Sequence, residues 1–301
     1  MSQRILITGG TGLVGTRLTE LLMQRGYAVA HLSRQARAGA VPAFSWDVEK
    51  GKLDERAMEN TDAIIHLAGA GVADARWTPA RKKEILDSRV ESTRLLGTYL
   101  PKHKNITAVV SASAIGYYGF NVSEGWLAET AHPGTDFLAT VTRAWEAELD
   151  QLAQPHLRIV KLRIGIVLSA KGGALAEIAK PVQWGVGAAL GTGSQYMSWI
   201  HMDDLCGMFI HALENKNMHG AYNAVGPQPA TNREVTKAIA AALGKPLWLP
   251  PVPGFVLRLM VGEMAAMVLG GSRVSPDKIL QTGFTFQFPE LRGAVQNLLR
   301  P

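Results

Sequence analysis

The chain has 301 residues, 47% of them apolar, and a formal net charge of +6. That length buries a sizeable core, as one large α/β domain or as two unequal parts, and the composition excludes a disordered chain. Its 31 basic residues are scattered without a long run of like charge, which argues against nucleic acid and suits a basic protein whose ligands carry phosphates.

In chain order, strands are predicted at "RILITG", "AVAHLSR", "AIIHLAG", "TAVVSAS" and "RIVKLRIGIVL", and helices over Gly15–Arg25, Pro79–Tyr99 and Asp136–Gln151. Strands alternating with helices of this length imply right-handed crossovers and a parallel sheet. Runs such as "AIIH" and "AVVS" lack polar alternation, as strands covered on both faces do. Beyond about Gly172 the rhythm becomes irregular, with glycines in "WGVGAALGTGSQ" and prolines in "LPPVPG". The expected architecture is therefore α/β: a Rossmann-type, doubly wound parallel sheet with a smaller, discontinuous C-terminal substrate lobe. Residues 1–170 form the nucleotide-binding domain, completed by about 198–228, and 171–197 with 229–301 form the substrate-side lobe.

"ITGGTGLVG" sits where a strand turns into a helix, the context that a dinucleotide site needs. Gly9 permits the tight turn, Gly12 lets the backbone approach a pyrophosphate, and Gly15 lets the helix pack on the strand. Thr11 lies within that turn, and Leu13 and Val14 offer N–H groups at the helix N-terminus, where the dipole favours anions. Ser33 and Arg34 end the second strand, where an acidic residue would grip the ribose of NAD. A hydroxyl followed by a guanidinium favours a 2′-phosphate instead, so NADP is the expected cofactor. Arg37 is near enough in sequence to assist.

"TGGTGLVG", "HLAGA" at 66–70 and "SASAIGYYG" at 111–119 together resemble the extended branch of the short-chain dehydrogenase/reductases. "RWTPARKKEILDSRVESTRLL", "FLATVTRAWEAE", "LRIGIVLSAKGGAL", "SWIHMDDL" and "SRVSPDKILQTGFTFQFPEL" narrow the resemblance to the atypical epimerase family group, from end to end. The resemblance implies a Rossmann lobe for NADP(H), with Leu67, Ala68 and Gly69 along the cofactor beside the glycine turn, and with Glu84 and Arg89 of "KKEILDSR" also at NADP-binding positions. Asp47 in "SWDV" resembles an acid that contacts adenine, and equally fits a turn-forming Asp.

The superfamily pairs a Ser with a Tyr four residues before a Lys, whose ammonium favours phenolate. Ser113 stands in the right place. On the helix that should carry the pair, Phe137, Leu138, Val141 and Thr142 transfer no proton, and Arg143 is out of register. Tyr117 or Tyr118 in "GYYG" is then the candidate proton donor, since tyrosine holds its proton up to a pH of about 10; the alternative is that both pack beneath the lobe junction. The expected function is an NADP(H)-dependent oxidoreductase or epimerase-like enzyme acting on a small carbonyl, hydroxyl or sugar-type substrate. The other reading is a catalytically silent NADP(H)-binding sensor.

Metal chemistry is not expected. Cys206 is the single cysteine, and no second His or Cys stands at ligand spacing from His201 in "SWIHMDDL". Asp203 or Asp204 is a candidate cap for the following helix, and His66 a hydrogen-bonded lining residue. Arg163 faces either an anionic substrate or an acidic neighbour. "GGAL" and "GVGAALGTGSQ" read as loops over the cleft, and Trp184, Tyr196 and Trp199 as an aromatic wall. No leader precedes the first strand, and "PGFVLRLMVGEMAAMVLGG" is interrupted by Arg258 and Glu263, so a cytoplasmic protein without a membrane span is expected. That stretch is apolar nearly all round; it covers the cleft or forms a subunit contact, which leaves a homodimer open.

Overall fold

The computed structural model describes residues 2–120 and 125–300. The principal sheet has eight strands: β1 (Arg4–Thr8), β2 (Ala28–Ser33), β3 (Ala43–Asp47), β4 (Lys52–Leu53), β5 (Ala63–His66), β6 (Ala108–Ala114), β7 (Arg158–Ile164) and β8 (Gly220–Ala224). Their spatial order is β8-β7-β6-β5-β1-β2-β3-β4. All neighbours run parallel except β3 and β4, which form an antiparallel pair at one edge. From β1 the chain goes to β2 on one side, whereas β5 lies on the other. That reversal opens a crevice at the C-terminal ends of β1 and β5.

The helices of the sheet layer are α1 (Leu13–Gln24), α2 (Pro79–Tyr99), α3 (Phe137–Gln151) and, after α4 (Gly173–Gln183), α5 (Met202–Glu214). Right-handed crossovers running opposite ways from the switch put α1 with α5 on one face and α2 with α3 on the other. Starts are set locally: Thr78 caps α2 with Pro79 following, and Asp136 caps α3 through the Ala139 N–H. The main core is made by β1, β2, β5, β6 and β7 with these helices, and Ile5, Leu6, Ile7, Ile64, Ile65, Val109 and Val110 are wholly enclosed. A second core joins α4, α6 (Asn232–Leu243) and the C-terminal helix Leu291–Leu299 around Trp199, Leu168 and Val235.

Several expectations need correction. "RIVKLRIGIVL" is two strands, because β7 ends at Ile164 and Ile166–Leu168 pairs with Trp199–His201 instead. Gly165 allows the switch: a Cβ there would lie 2.3 Å from the Ser198 carbonyl oxygen. β3 and β4 were not anticipated, since "AFSWD" is short and only Trp46 in it is buried. "GGAL" is the start of α4 rather than a covering loop, with Leu175 fully buried. The apolar tail is broken into α7 (Gly254–Val261) and α8 (Ala265–Leu269) at Gly262, whose φ of 64° suits glycine. No helix among the described residues is long and apolar enough to cross a membrane.

Candidate functional site

The turn from β1 into α1 is wedged against the residues that follow β5. A Cβ on Gly9 would stand 2.9 Å from the Leu67 carbonyl, and one on Gly15 would stand 2.4 Å from the Gly9 oxygen. At Gly12 the only close atom is the Gly9 oxygen, at 3.3 Å. The face that a side chain at Gly12 would cover is therefore open. Gly12 is also the N-cap of α1 and supplies no side-chain cap, so the first helical N–H groups, those of Leu13, Val14 and Gly15, are not satisfied by a cap. Uncapped donors at a positive helix end beside open space fit a pyrophosphate.

A buried hydrogen-bond chain fixes this turn. Thr8 Oγ1 accepts the Leu67 and Ala68 N–H groups, both at 3.1 Å, and meets His66 Nδ1 at 2.7 Å. With both lone pairs used, the Thr8 hydroxyl donates to Nδ1. The imidazole proton then lies on Nε2 and goes to Thr93 Oγ1 at 3.1 Å, while Thr93 donates to the Arg89 carbonyl at 2.7 Å. Burial, helped by Arg89, pushes the His66 pKa down to about 3, so the ring is neutral. His66 is the lining residue expected of it.

Thus Gly9–Gly15 and Leu67–Gly69 share one crevice. Ser33 ends the adjacent strand, and Arg34 is exposed with no partner for its guanidinium among the described residues. The two α2 candidates separate. Arg89 turns inward over Gly69, donating to the Ala70 and Ile85 carbonyls at 3.0 and 2.9 Å, and burial with Arg81 pushes its pKa down to about 10. Glu84 is exposed and pairs with Arg81 at 2.7 Å. Asp47 closes a turn by accepting the Lys50 N–H at 3.0 Å, which is the turn reading.

At the β6–β7–β8 side, Ser113, Arg163 and Asn223 stand level on adjacent strands. Ser113 donates to Glu146 Oε1 at 2.6 Å. Arg163 grips both Glu146 oxygens, at 2.8 and 2.9 Å, and donates to the Tyr118 hydroxyl and the Glu129 carbonyl, each at 3.1 Å. Tyr118 donates to Asn223 Oδ1 at 2.7 Å. Burial works to raise the Glu146 carboxyl, but Arg163, Ser113 and Lys161 outweigh it and hold it below the usual carboxylate range. Burial also raises the Tyr118 hydroxyl. Tyr118 is thus a buried, fully engaged residue rather than a free proton donor. The half-buried Tyr117 differs: its ring lies 3.5 Å from the Arg163 guanidinium carbon, and its hydroxyl has no partner among the described residues. Leu138 and Thr142 face Gly116 on the same side of α3, where the Tyr-Lys pair was missed.

Glu146 is the residue that sequence reading overlooked. Its signal was an acid on the inward face of "FLATVTRAWEAE", between the buried Thr142 and Leu149. Arg163 takes the acidic-neighbour option. His201 is structural, stacked on Phe288 at 3.9 Å, and its own Nδ1 caps α5 through the Asp203 N–H. Asp203 pairs with Arg17 and Asp204 accepts the Gln287 and Phe288 N–H groups, so neither supplies the cap. Among the described residues no cluster of metal-ligating groups occurs. The anticipated aromatic wall does not form: Trp199 is core and Trp184 is 79% exposed. Trp77, Phe120 and Phe137 cluster instead, with ring centroids 5.0 and 6.3 Å from that of Trp77.

A doubly wound sheet whose first turn presents an uncapped glycine loop at the strand-order switch defines a protein of the NAD(P)-binding, extended short-chain dehydrogenase/reductase fold. The sequence profile of the NAD dependent epimerase/dehydratase family matches residues 5–226, and that of a domain of unknown function, DUF1731, matches residues 252–298. The chain belongs to that epimerase/dehydratase family. It is 35% identical over 300 residues to the mouse epimerase family protein SDR39U1, covering 98% of this chain and 99% of the relative. With the Bacillus subtilis epimerase family protein YfhF it shares 34% identity over 299 residues, 98% of this chain and 97% of the other. The crystal structure of human SDR39U1 with NADPH superposes with a TM-score of 0.89 at 34% identity, covering 99% of both chains.

Proposed function

We propose that the protein is an NADP(H)-dependent oxidoreductase acting on a small carbonyl or hydroxyl compound. The observation that carries this reading is the open face at Gly12 beneath uncapped helix donors, with the unpartnered Arg34 at the end of the next strand. The NADPH in the human relative's crystal structure supports the same choice. Gly9, Thr11, Gly12, Leu13, Val14 and Gly15 hold the diphosphate, Ser33 and Arg34 the 2′-phosphate, and Leu67, Ala68, Gly69 and Arg89 flank the remainder. Glu84 acts through its ion pair with Arg81, which donates to the Gly71 carbonyl at 2.5 Å. When bound, NADPH supplies the hydride.

The chain's own part is to orient the substrate oxygen and deliver a proton to it. Ser113 stays neutral and spends its hydrogen-bond donor on Glu146, so it accepts from an alcohol's hydroxyl, while a carbonyl oxygen takes its hydrogen bond from Tyr117. Tyr117 has the one uncommitted hydroxyl of the two tyrosines and serves as proton donor. Arg163 stacks on its ring and fixes its position. The test is NADPH oxidation against a panel of carbonyl compounds. Tyr117→Phe should lower turnover by about a hundredfold or more with NADPH affinity unchanged. Tight NADPH binding without turnover of any panel member would instead favour the sensor reading, for which the fully occupied Ser113–Glu146–Arg163–Tyr118 cluster is the specific support.

A further inference from the structure

Between the start of α3 and the helices α7 and α8 lies a cleft of about 630 Å³, within the size range of small-molecule sites. It adjoins the segment that carries Tyr117, whose carbonyl accepts the Gly134 N–H at 2.9 Å just ahead of Asp136 and Phe137 in the cleft wall. One side is aromatic, formed by Trp77, Phe120 and Phe137; the other is the aliphatic surface of Ala265, Ala266 and Leu269.

The polar groups in that wall are few, and two are already committed. Asp136 accepts the Ala139 and Phe120 N–H groups at 3.1 and 2.7 Å, and Glu263 pairs with Lys82. Arg258 alone among the lining charges has no partner among the described residues. A second cation stands nearby: the Arg76 guanidinium would be 3.7 Å from a Cβ on Gly262, and among the described residues it donates only to the Leu259 carbonyl, at 3.0 Å. Among the described residues the uncommitted charge at this mouth is therefore positive, and the walls offer apolar surface rather than an array of donors and acceptors for sugar hydroxyls.

We infer that this cleft takes a substrate with a flat, apolar body and a single carboxylate or similar anionic group, gripped by Arg258 and stacked against Trp77 and Phe137. The assignment rests on the oxidoreductase reading above, which it deepens by naming the substrate class. An aromatic ring gains from edge and face contacts with such a cluster, and a guanidinium takes a carboxylate through two parallel hydrogen bonds.

The experiment titrates 2-naphthoate, its uncharged amide and UDP-glucose into protein saturated with NADPH, after NADPH binding has been measured for each variant. Naphthoate should bind saturably and the amide about tenfold more weakly. Arg258→Gln, an exposed substitution, should reduce naphthoate to the level of the amide. Trp77→Ala should weaken both aromatic probes, while Trp184→Ala, at an exposed tryptophan that does not line the cleft, leaves them unchanged. The inference is overturned if naphthoate fails to bind, if Arg258→Gln binds it as wild type does, or if UDP-glucose displaces it. Should NADPH itself fail to bind, the oxidoreductase reading falls first; normal NADPH affinity with a charge-indifferent cleft removes this assignment alone.

Discussion

The two polar regions at the ends of the parallel strands are built on opposite principles. At the β1–α1 turn the backbone donors of the helix start are left without a side-chain cap, and Arg34, just after the second strand, has no partner for its guanidinium among the described residues. Across the sheet, the side chains of Ser113, Glu146, Arg163, Tyr118 and Asn223 are bound to one another in a closed set. Unsatisfied donors at a surface are a place for a ligand, whereas a buried network with every member paired gives a rigid wall. The glycine turn thus offers its donors to a ligand. At the Ser113 end, most of the polarity serves the protein itself, and the Tyr117 hydroxyl is the one without a partner among the described residues.

The contrast is broken most sharply by Glu146→Gln. If the network is structural, this leaves the Arg163 charge uncompensated in a buried site, and denaturant unfolding should show a loss of about 3–5 kcal/mol. A loss below about 1 kcal/mol would mean that the cluster is hydrated and adaptable, and the distinction between the two regions would disappear.

Next in size is Gly12→Ala. The added methyl meets only the Gly9 oxygen at 3.3 Å, at a residue with φ of −75° that alanine accepts. The melting temperature should therefore hold within a few degrees while NADPH affinity drops about a hundredfold, close to 2.7 kcal/mol. Gly15→Ala, crowded at 2.4 Å by backbone, should instead lose fold and affinity together. Equal NADPH binding by wild type and Gly12→Ala would show that the open face is not the diphosphate seat.

A smaller effect is expected from Arg34→Ala, about tenfold weaker NADPH binding with NADH affinity unchanged, since one charge-assisted phosphate contact is lost. An unaltered NADPH/NADH ratio in calorimetry would remove Arg34 from the cofactor site.

Near neutral pH the smallest effect is the pH dependence, and it grows on acidification. The unfolded chain protonates its histidines near 6.5, whereas folded His66 stays neutral down to about 3. Between those values the unfolded state binds more protons, so stability falls as pH drops below 6.5. Burial lowers His31 and His201 in the same direction, so His66→Asn should flatten the slope of melting temperature against pH without abolishing it. An identical slope in that variant would contradict the neutral assignment. Glu146 acts lower down: its depressed pKa stabilises the fold above the ordinary value of 4.5 and that contribution is lost on further acidification.

Local chemistry made the cofactor end legible. Gly9, Gly12 and Gly15 report backbone conformation and close approach within a few residues, and continuous apolar runs report strands covered on both faces. The Ser113 end was less legible because its members come from β6, α3, β7 and β8, far apart in sequence and brought together by register and packing. Tyr117 and Tyr118 are adjacent and chemically identical in the chain, yet one hydroxyl reaches Asn223 and the other does not. Glu84 and Arg89 share a helix, but rotation about its axis sends one outward to Arg81 and the other inward over Gly69.

By itself, the sequence determined the doubly wound sheet, the glycine turn and the charge that follows the second strand, because these depend on short-range sterics and on the period of apolar residues. Only the tertiary structure decided which polar groups are spent on one another and which face a ligand. Hydrogen-bond partnership among Ser113, Glu146, Arg163, Tyr118 and Asn223, like the lack of a partner for Arg258 among the described residues, depends on distances set when remote strands and helices meet, and no local pattern encodes those distances.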